Sequence, residues 1–328
     1  MTTKARSRFQ TLALAGIVGV LVALGVQMAG GVTFATPDPA PPTEAVSTDD
    51  VLLDEVLTVR PGAQVVLDLS SEDVTVEEGR GGAVRVVIEG ETEAAREFFR
   101  DQNYDVREEK GGAVLLANPA RRAERRRTYR DGDTPTVRVQ VPAGTRLSYE
   151  GTSGNLRIDK LDAEALSVDT GSGDVELGEI TAGEIEVDTG SGNVQIEALQ
   201  ANAGRVDTGS GDVAIRRSSG SLDVDTGSGD VELDAHSGPV VADTGSGDVS
   251  VRLAAPSPVE ADTGSGDVML ALTDAELDVD TNGDVDIDAS LGFVGTNRDG
   301  NARGTVGAGG PEANVGSGSG DVSIRDAR

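Results

Sequence analysis

Asp169-Thr170-Gly171-Ser172-Gly173-Asp174-Val175 decides the reading of this chain, because the same seven residues return at 207–213, 225–231, 243–249 and 262–268. At 188–194 only Asn193 differs, and a shortened copy, Asp-Thr-Asn-Gly-Asp-Val, occupies 280–285. Looser copies stand at 150–156, at 316–322 and, more faintly, at 68–74. The copies begin at 150, 169, 188, 207, 225, 243, 262 and 280, a period of 18 or 19 residues, and the last step, to 316, is 36, or two periods. A fixed short period of this kind specifies a stacked array in which each repeat touches only its neighbours.

Between the turns the residues alternate. Val175/Leu177, Val194/Ile196, Val213/Ile215, Val231/Leu233, Val249/Val251 and Val268/Leu270 follow the turns, and Leu166/Val168, Ile185/Val187, Leu222/Val224 and Leu277/Val279 precede them. A two-residue apolar period with many β-branched side chains specifies strands with one buried face. No single repeat can bury that face alone. Stacking at about 4.8 Å per strand does it. The expected fold is therefore all-β: a β-solenoid, a single-stranded β-helix-like array with two strands per 18–19-residue rung. The glycines beside each Ser are expected to supply positive φ in the turn, and the first Asp to accept its backbone N–H groups.

Composition fits a core of small aliphatic residues. The 328 residues include 44 glycines, no Trp, no Cys and one His, and aromatics make up 2%. Without Cys there are no disulfides and no thiolate metal sites. The net charge is −29, and between residues 150 and 290 there are 31 acidic residues against 6 basic ones. Such a surface repels nucleic acid and anionic headgroups, and it suits cations, basic partners or a salty medium.

The repeat generates two columns of Asp. Asp169, Asp188, Asp207, Asp225, Asp243, Asp262 and Asp280 precede the turns; Asp174, Asp212, Asp230, Asp248, Asp267 and Asp284 follow them, with Asn193 in the series. Like charges at strand spacing repel, so turn hydrogen bonds, screening salt or bound cations must offset them. Two readings stand side by side: side-chain capping in ambient salt, or a calcium ladder built from carboxylates on glycine-rich loops. Calcium is the one cofactor the sequence suggests, although Val285 stands where an EF-hand loop needs Gly.

Catalysis finds no support. Asp-Thr-Gly-Ser is also the active-site string of aspartic proteases, but those need a pair of Asp sharing a proton, not a string repeated at solenoid period. With His236 as the only His, in the loop 234–239 and expected to be solvated, neither a His-based metal site nor a known triad order is available. No aromatic lies between residues 150 and 291 to stack on a sugar.

At the N-terminus, Lys4, Arg6 and Arg8 precede an apolar run from 12 to 32. It reads as an export signal cut after Ala35 or as a retained transmembrane helix, and its length favours the anchor. Either way the remainder is expected outside the cytoplasm. The expected organisation is a signal or membrane anchor at 1–35, a Pro-rich acidic linker at 36–50, an irregular β region with one helix at 51–148, and the regular array with its closing strand at 149–328. In the irregular region, 91–104 reads as a helix capping the open end of the stack, and 322–324 as the strand closing the far end. Arg121, Arg122, Arg125, Arg126, Arg127 and Arg130 form the one cationic cluster. It reads as a solvated loop or as a contact to an anionic polymer or a neighbouring acidic array.

Val-Pro-Ala-Gly-Thr-Arg-Leu at 141–147, leading into Gly-Thr-Ser-Gly-Asn-Leu, the recurring Thr-Gly-Ser-Gly-Asp-Val and the closing Gly-Ser-Gly-Asp-Val-Ser-Ile resemble the bacterial "putative adhesin" family, a domain of unknown function with β-strand repeats. The resemblance covers about residues 51–328. It implies a β-solenoid at the cell envelope, often behind a membrane helix, with no catalytic residues. The expected function is an envelope-tethered adhesin or surface-binding module. Its partners would be the membrane, through the N-terminal helix, and a cell-wall polymer or surface protein, with no nucleic acid. The alternative is a passive structural or envelope-stress accessory with no ligand of its own.

Overall fold

Residues 50–109, 112–118 and 134–327 are described by a computed structural model. Their strands form one continuous hydrogen-bonded sheet wound around a single apolar core. The regular rungs are the 15-residue strands Leu156–Thr170, Val175–Thr189 and Val194–Thr208, paired parallel and in register. The later rungs break into shorter strands in the same register, from Val213–Ile215 to Val268–Leu272.

Burial explains the rung shape. In Leu156–Thr170 the inward residues are Leu156 and Ile158, then Leu161 and Ala163, then Leu166, Val168 and Thr170. Two neighbouring residues turn outward between each group, at 159–160 and at 164–165, and Gly178 and Gly183 drop out of the pairing at the matching places in the next rung. A rung therefore has three inward runs separated by two bends, where the sequence reading expected two strands. The middle run was missed because its second inward residue is Ala, at 163, 182 and 201, which adds little to an apolar alternation.

Both ends of the stack finish in antiparallel strands. At one end Val51–Thr58 pairs with Ala83–Glu89, which pairs with Thr136–Pro142, and Asn103–Glu109 pairs with Gly112–Asn118. At the other end Ala275–Thr281 pairs with Asn301–Val306, which pairs with Val294–Arg298. The helix runs over Glu93–Asp101, with Thr92 Oγ1 accepting from Ala95 N at 3.0 Å as its N-cap. It buries Ala95 and Phe98, outside the main core. Tyr104, expected in the helix, lies in the following strand, with its ring stacked on Phe99 at 5.0 Å.

The strand order at the far end differs from the order in sequence. Glu312–Ser317 lies between Val259–Thr263 and Ala275–Thr281, and Val322–Asp326 lies between Val268–Leu272 and Val285–Ile287. The last repeat in the chain is thus the second-to-last rung in space. The strand expected to close the end is an interior one, because the two-period gap hides a step over an inserted rung.

The expected membrane helix is corrected here. No helix of the described residues is long and apolar enough to cross a membrane. The run at 12–32, read as anchor or signal, lies outside the described residues, as does most of the linker. The membrane partner, the tethered adhesin and the single-pass placement in the envelope all rested on that helix, and no described helix supplies it.

Candidate functional site

The stacked turns are the feature that the sequence singles out, and each residue type in them forms its own column. The residue closing each turn is an Asp or an Asn whose Oδ1 accepts the backbone N–H of its counterpart in the next rung. Asp73 accepts from Asn155 at 2.9 Å, Asn155 from Asp174 at 3.0 Å, Asp174 from Asn193 at 2.8 Å and Asn193 from Asp212 at 2.9 Å. Asp212 accepts from Asp230 at 3.0 Å, and Asp230 from Asp248, Asp248 from Asp267, Asp267 from Asp321 and Asp321 from Asp284, each at 2.8 Å. The ladder is continuous through the whole stack. Asn155 and Asn193 serve in it as well as Asp does, so the acceptor oxygen matters here and the charge does not.

The Thr column lies one step inside. Thr170, Thr189, Thr208 and Thr226 are buried. Each hydroxyl oxygen accepts a turn N–H of its own rung, from Gly173, Gly192, Gly211 and Gly229 in turn. The hydroxyls of Thr189, Thr208 and Thr226 donate to the Gly173, Gly192 and Gly211 carbonyls of the rung before. The expectation that the first Asp caps the turn is therefore corrected: the Thr hydroxyl does it.

The glycines have a different role from the one expected. None of those flanking Ser in the repeated heptapeptide has positive φ. A Cβ on Gly211 would lie 1.8 Å from the Gly192 carbonyl oxygen of the preceding rung, and one on Gly229 would lie 1.9 Å from that of Gly211. Close stacking, not turn handedness, excludes a side chain there.

The first Asp column faces outward. Asp169, Asp188, Asp207, Asp225, Asp243 and Asp262 are in-register neighbours, followed by Gly316 and then Asp280. Arg205 pairs with Asp207 at 3.1 Å and with Asp223 at 2.7 Å. Burial, then the neighbouring Asp207 and Asp169, raises the Asp188 carboxyl above the usual range. Burial, then Asp262 and other carboxylates, pushes Asp243 up to about 6. Asp243 Oδ1 is buried without a hydrogen-bond donor among the described residues. Among the described residues no group of three or more His, Cys, Asp or Glu could hold a metal ion. The six arginines Arg121, Arg122, Arg125, Arg126, Arg127 and Arg130 lie outside the described residues.

His236 is corrected too. It is buried in the middle column of the core, between Ser218 and Leu253, and not solvated. Its Nδ1 lies 2.8 Å from Ser218 Oγ and its Nε2 lies 3.3 Å from the Pro239 carbonyl. A carbonyl only accepts, so Nε2 carries the proton and Nδ1 accepts from the hydroxyl. Burial holds its pKa below the usual range.

Sequence reasoning passed over Glu72, which stands in the first turn where the repeats have their second glycine. It is fully buried. Its Oε2 accepts from Ser70 N and Ser71 N, both at 2.8 Å, and its Oε1 accepts from the Tyr104 hydroxyl at 2.5 Å. Burial first, then the Glu72 charge, raises the pKa of Tyr104. The signal was a carboxylate at a glycine position in the faintest copy of the repeat.

These columns hold no catalytic arrangement. The first Asp residues lie on a flat outward strip, the one His has both ring nitrogens engaged in the core, and the chain has no Cys. No curated protein matches the chain. Among solved structures, a "putative lipid binding protein" from Parabacteroides distasonis is 15% identical with a TM-score of 0.49, covering 83% of this chain and 96% of that one. A "putative adhesin" from the same organism is 12% identical with a TM-score of 0.41, at the same coverage. A "putative adhesin" from Bacteroides fragilis is 11% identical with a TM-score of 0.39, covering 84% of this chain and 96% of that one. The model of a β-repeat family matches twice, over residues 63–272 and 222–325. The two matches overlap on the repeats and together span nearly all of the stack described above, so the chain belongs to the Toastrack DUF4097 family.

Proposed function

We propose that the protein is a structural β-repeat module with no ligand of its own, a stiff acidic stack whose repeated residues serve the stack itself. One observation carries the reading: the Thr hydroxyls and the closing Asp or Asn side chains of the turns are consumed by neighbouring rungs. The hydroxyls of Thr189, Thr208 and Thr226 join their own turns to the rung before, and each closing Asp or Asn below the last turn accepts from the rung after. The outward carboxylates keep the surface charged and soluble, and their mutual repulsion opposes edge-to-edge association.

Cosedimentation of the full chain with isolated cell envelopes and wall polymers, in calcium and in EDTA, tests this. The expected result is no pelleting in either condition. Pelleting in calcium alone would overturn the proposal in favour of a metal-dependent binder, and pelleting in both would overturn it in favour of a surface-binding module. In a parallel melt, calcium and sodium chloride at equal ionic strength raise Tm alike when the Asp columns are merely screened.

A further inference from the structure

The inserted rung separates two strongly acidic strands. On the wall before it, Glu260 and Asp262 face outward, and on the wall after it Asp278 and Asp280 do so. Between them the inserted strand presents only Asn314 and Gly316 at those register positions, while Ala313 and Val315 point into the core. A Cβ on Gly316 would lie 2.0 Å from Asp262 Oδ1, so the Asp262 carboxylate leans over the space that glycine leaves open. Direct closure of the two walls would set four carboxylates side by side at strand spacing. The slot therefore takes a strand that is uncharged at those two positions, although Glu312 at its start stands in register with Glu276.

The bonds that hold the segment are the generic bonds of the stack. Asp321 N donates to Asp267 Oδ1 and Asp284 N donates to Asp321 Oδ1, both at 2.8 Å. Ser317 Oγ donates to the Gly266 carbonyl at 2.7 Å, in the role of Thr in the other turns. None of these contacts depends on the segment coming from the same chain. Its tether is the five-residue loop 307–311, in which Gly307 and Gly309 have positive φ. A short hinge leading to an element that fits an identical slot in every copy is the arrangement from which strand exchange arises.

We propose that residues 312–326 form an exchangeable rung, and that the slot between the 259–272 and 275–287 rungs is an interaction site for the same segment of a second copy of this chain. The chain lacks Cys, which makes the test direct. Glu260 and Asn314 are in-register neighbours. Their separation, about 4.8 Å between strands, falls within the range that a disulfide spans. Full chains carrying Glu260→Cys are mixed with full chains carrying Asn314→Cys, held at a temperature a few degrees below Tm and oxidised. The expected product is a disulfide-linked dimer of the two variants, absent when Asn314→Cys is mixed with Glu186→Cys instead. A Glu260→Cys/Asn314→Cys chain closes the bond within itself and forms no dimer. If that double variant closes internally while the mixed single variants stay monomeric, exchange does not occur and the proposal is overturned. Equal cross-linking to Glu186→Cys would also overturn it, as collision between surfaces.

Discussion

The first turn of the stack, at 68–74, and the turns of the array above it meet the same requirement with different residues. Both must satisfy inward-pointing N–H groups. In the array a Thr hydroxyl does so, and glycine is needed behind it because the preceding rung lies within 2 Å of where a Cβ would sit, as at Gly192 and Gly211. At the first turn Ser70 and Glu72 carry side chains at the two glycine positions. Glu72 folds under the turn and takes the place of the Thr, and Tyr104 of the end hairpin holds it. Glycine in the array thus marks a turn whose backbone lies directly on that of the preceding turn. The last turn agrees: Gly283 is kept there, with its absent Cβ 2.1 Å from the Gly320 carbonyl.

The sharpest way to break this comparison is to place alanine at a glycine position of the repeat in each kind of turn. Gly211→Ala drives a Cβ into the Gly192 carbonyl and must separate two rungs, so it is expected to cost at least about 3 kcal/mol. Ser70→Ala, at a position that already carries a Cβ, gives up only the 3.3 Å bond from its hydroxyl to Glu72 Oε2 and is expected to stay within about 1 kcal/mol. Urea unfolding of both variants measures this. Equal costs would mean that the glycines serve turn conformation after all.

Next in size are the groups that satisfy the turns. Glu72→Ala leaves two backbone N–H groups and the Tyr104 hydroxyl without their acceptor and is expected to cost about 2 kcal/mol or more. Thr208→Val keeps the shape but strands the Gly211 N–H and the Gly192 carbonyl, an expected loss of about 1–2 kcal/mol. Native-state hydrogen exchange should show the loss at Gly211 for Thr208→Val and at Ser70 and Ser71 for Glu72→Ala. A uniform change across the stack would contradict the local account.

The array was legible in the sequence because its constraints repeat: Val175, Val194 and Val213 announce a buried column, and the heptapeptide announces the corner. The roles inside the heptapeptide were less legible. Thr170 and its counterparts looked like part of the inward alternation, and only the stacked geometry shows the hydroxyl bonded on two sides. The ends were least legible, because each is built once. Glu72 has no counterpart to compare, and the order of the last two rungs is a long-range fact that a period of 36 residues fits equally well either way. His236 was misread because its neighbours in the column are Leu199, Ser218 and Leu253, contacts made across rungs and invisible along the chain.

The Asp ladder offers a finer test of what the array needs. Asp230→Asn keeps the Oδ1 acceptor for Asp248 N and removes one charge between Asp212 and Asp248, so Tm is expected to hold or rise slightly, more at low salt. Asp230→Ala removes the acceptor as well and is expected to cost about 1 kcal/mol. If Asn proves as damaging as Ala, the charge itself is needed, and bound cations return as its reason.

The smallest effect expected is one of pH, and it contrasts two carboxylates. Glu72 has four donors, whereas Glu232 Oε2 is buried with no donor among the described residues. Burial first, then Asp234 and Asp230, pushes Glu232 up to about 7. A carboxyl whose folded pKa lies above its unfolded value binds its proton more tightly when folded, so its contribution to stability is present at low pH and is lost as pH rises through about 7. Asp243, pushed up to about 6, acts in the same direction. His236, held neutral by burial, acts in the opposite one, with stability lost as pH falls below its ordinary value near 6.5. Tm is therefore expected to rise by a few degrees as pH falls from 8 towards 7, where Glu232 titrates and His236 is neutral in the fold and still mostly neutral in the unfolded chain. Glu232→Gln, neutral at every pH, should flatten that rise and leave a decline at lower pH that His236→Leu in turn reduces. Thermal melts of the three proteins across pH 5–8 measure it, and an unchanged slope in Glu232→Gln would place the titration elsewhere in the acidic strip.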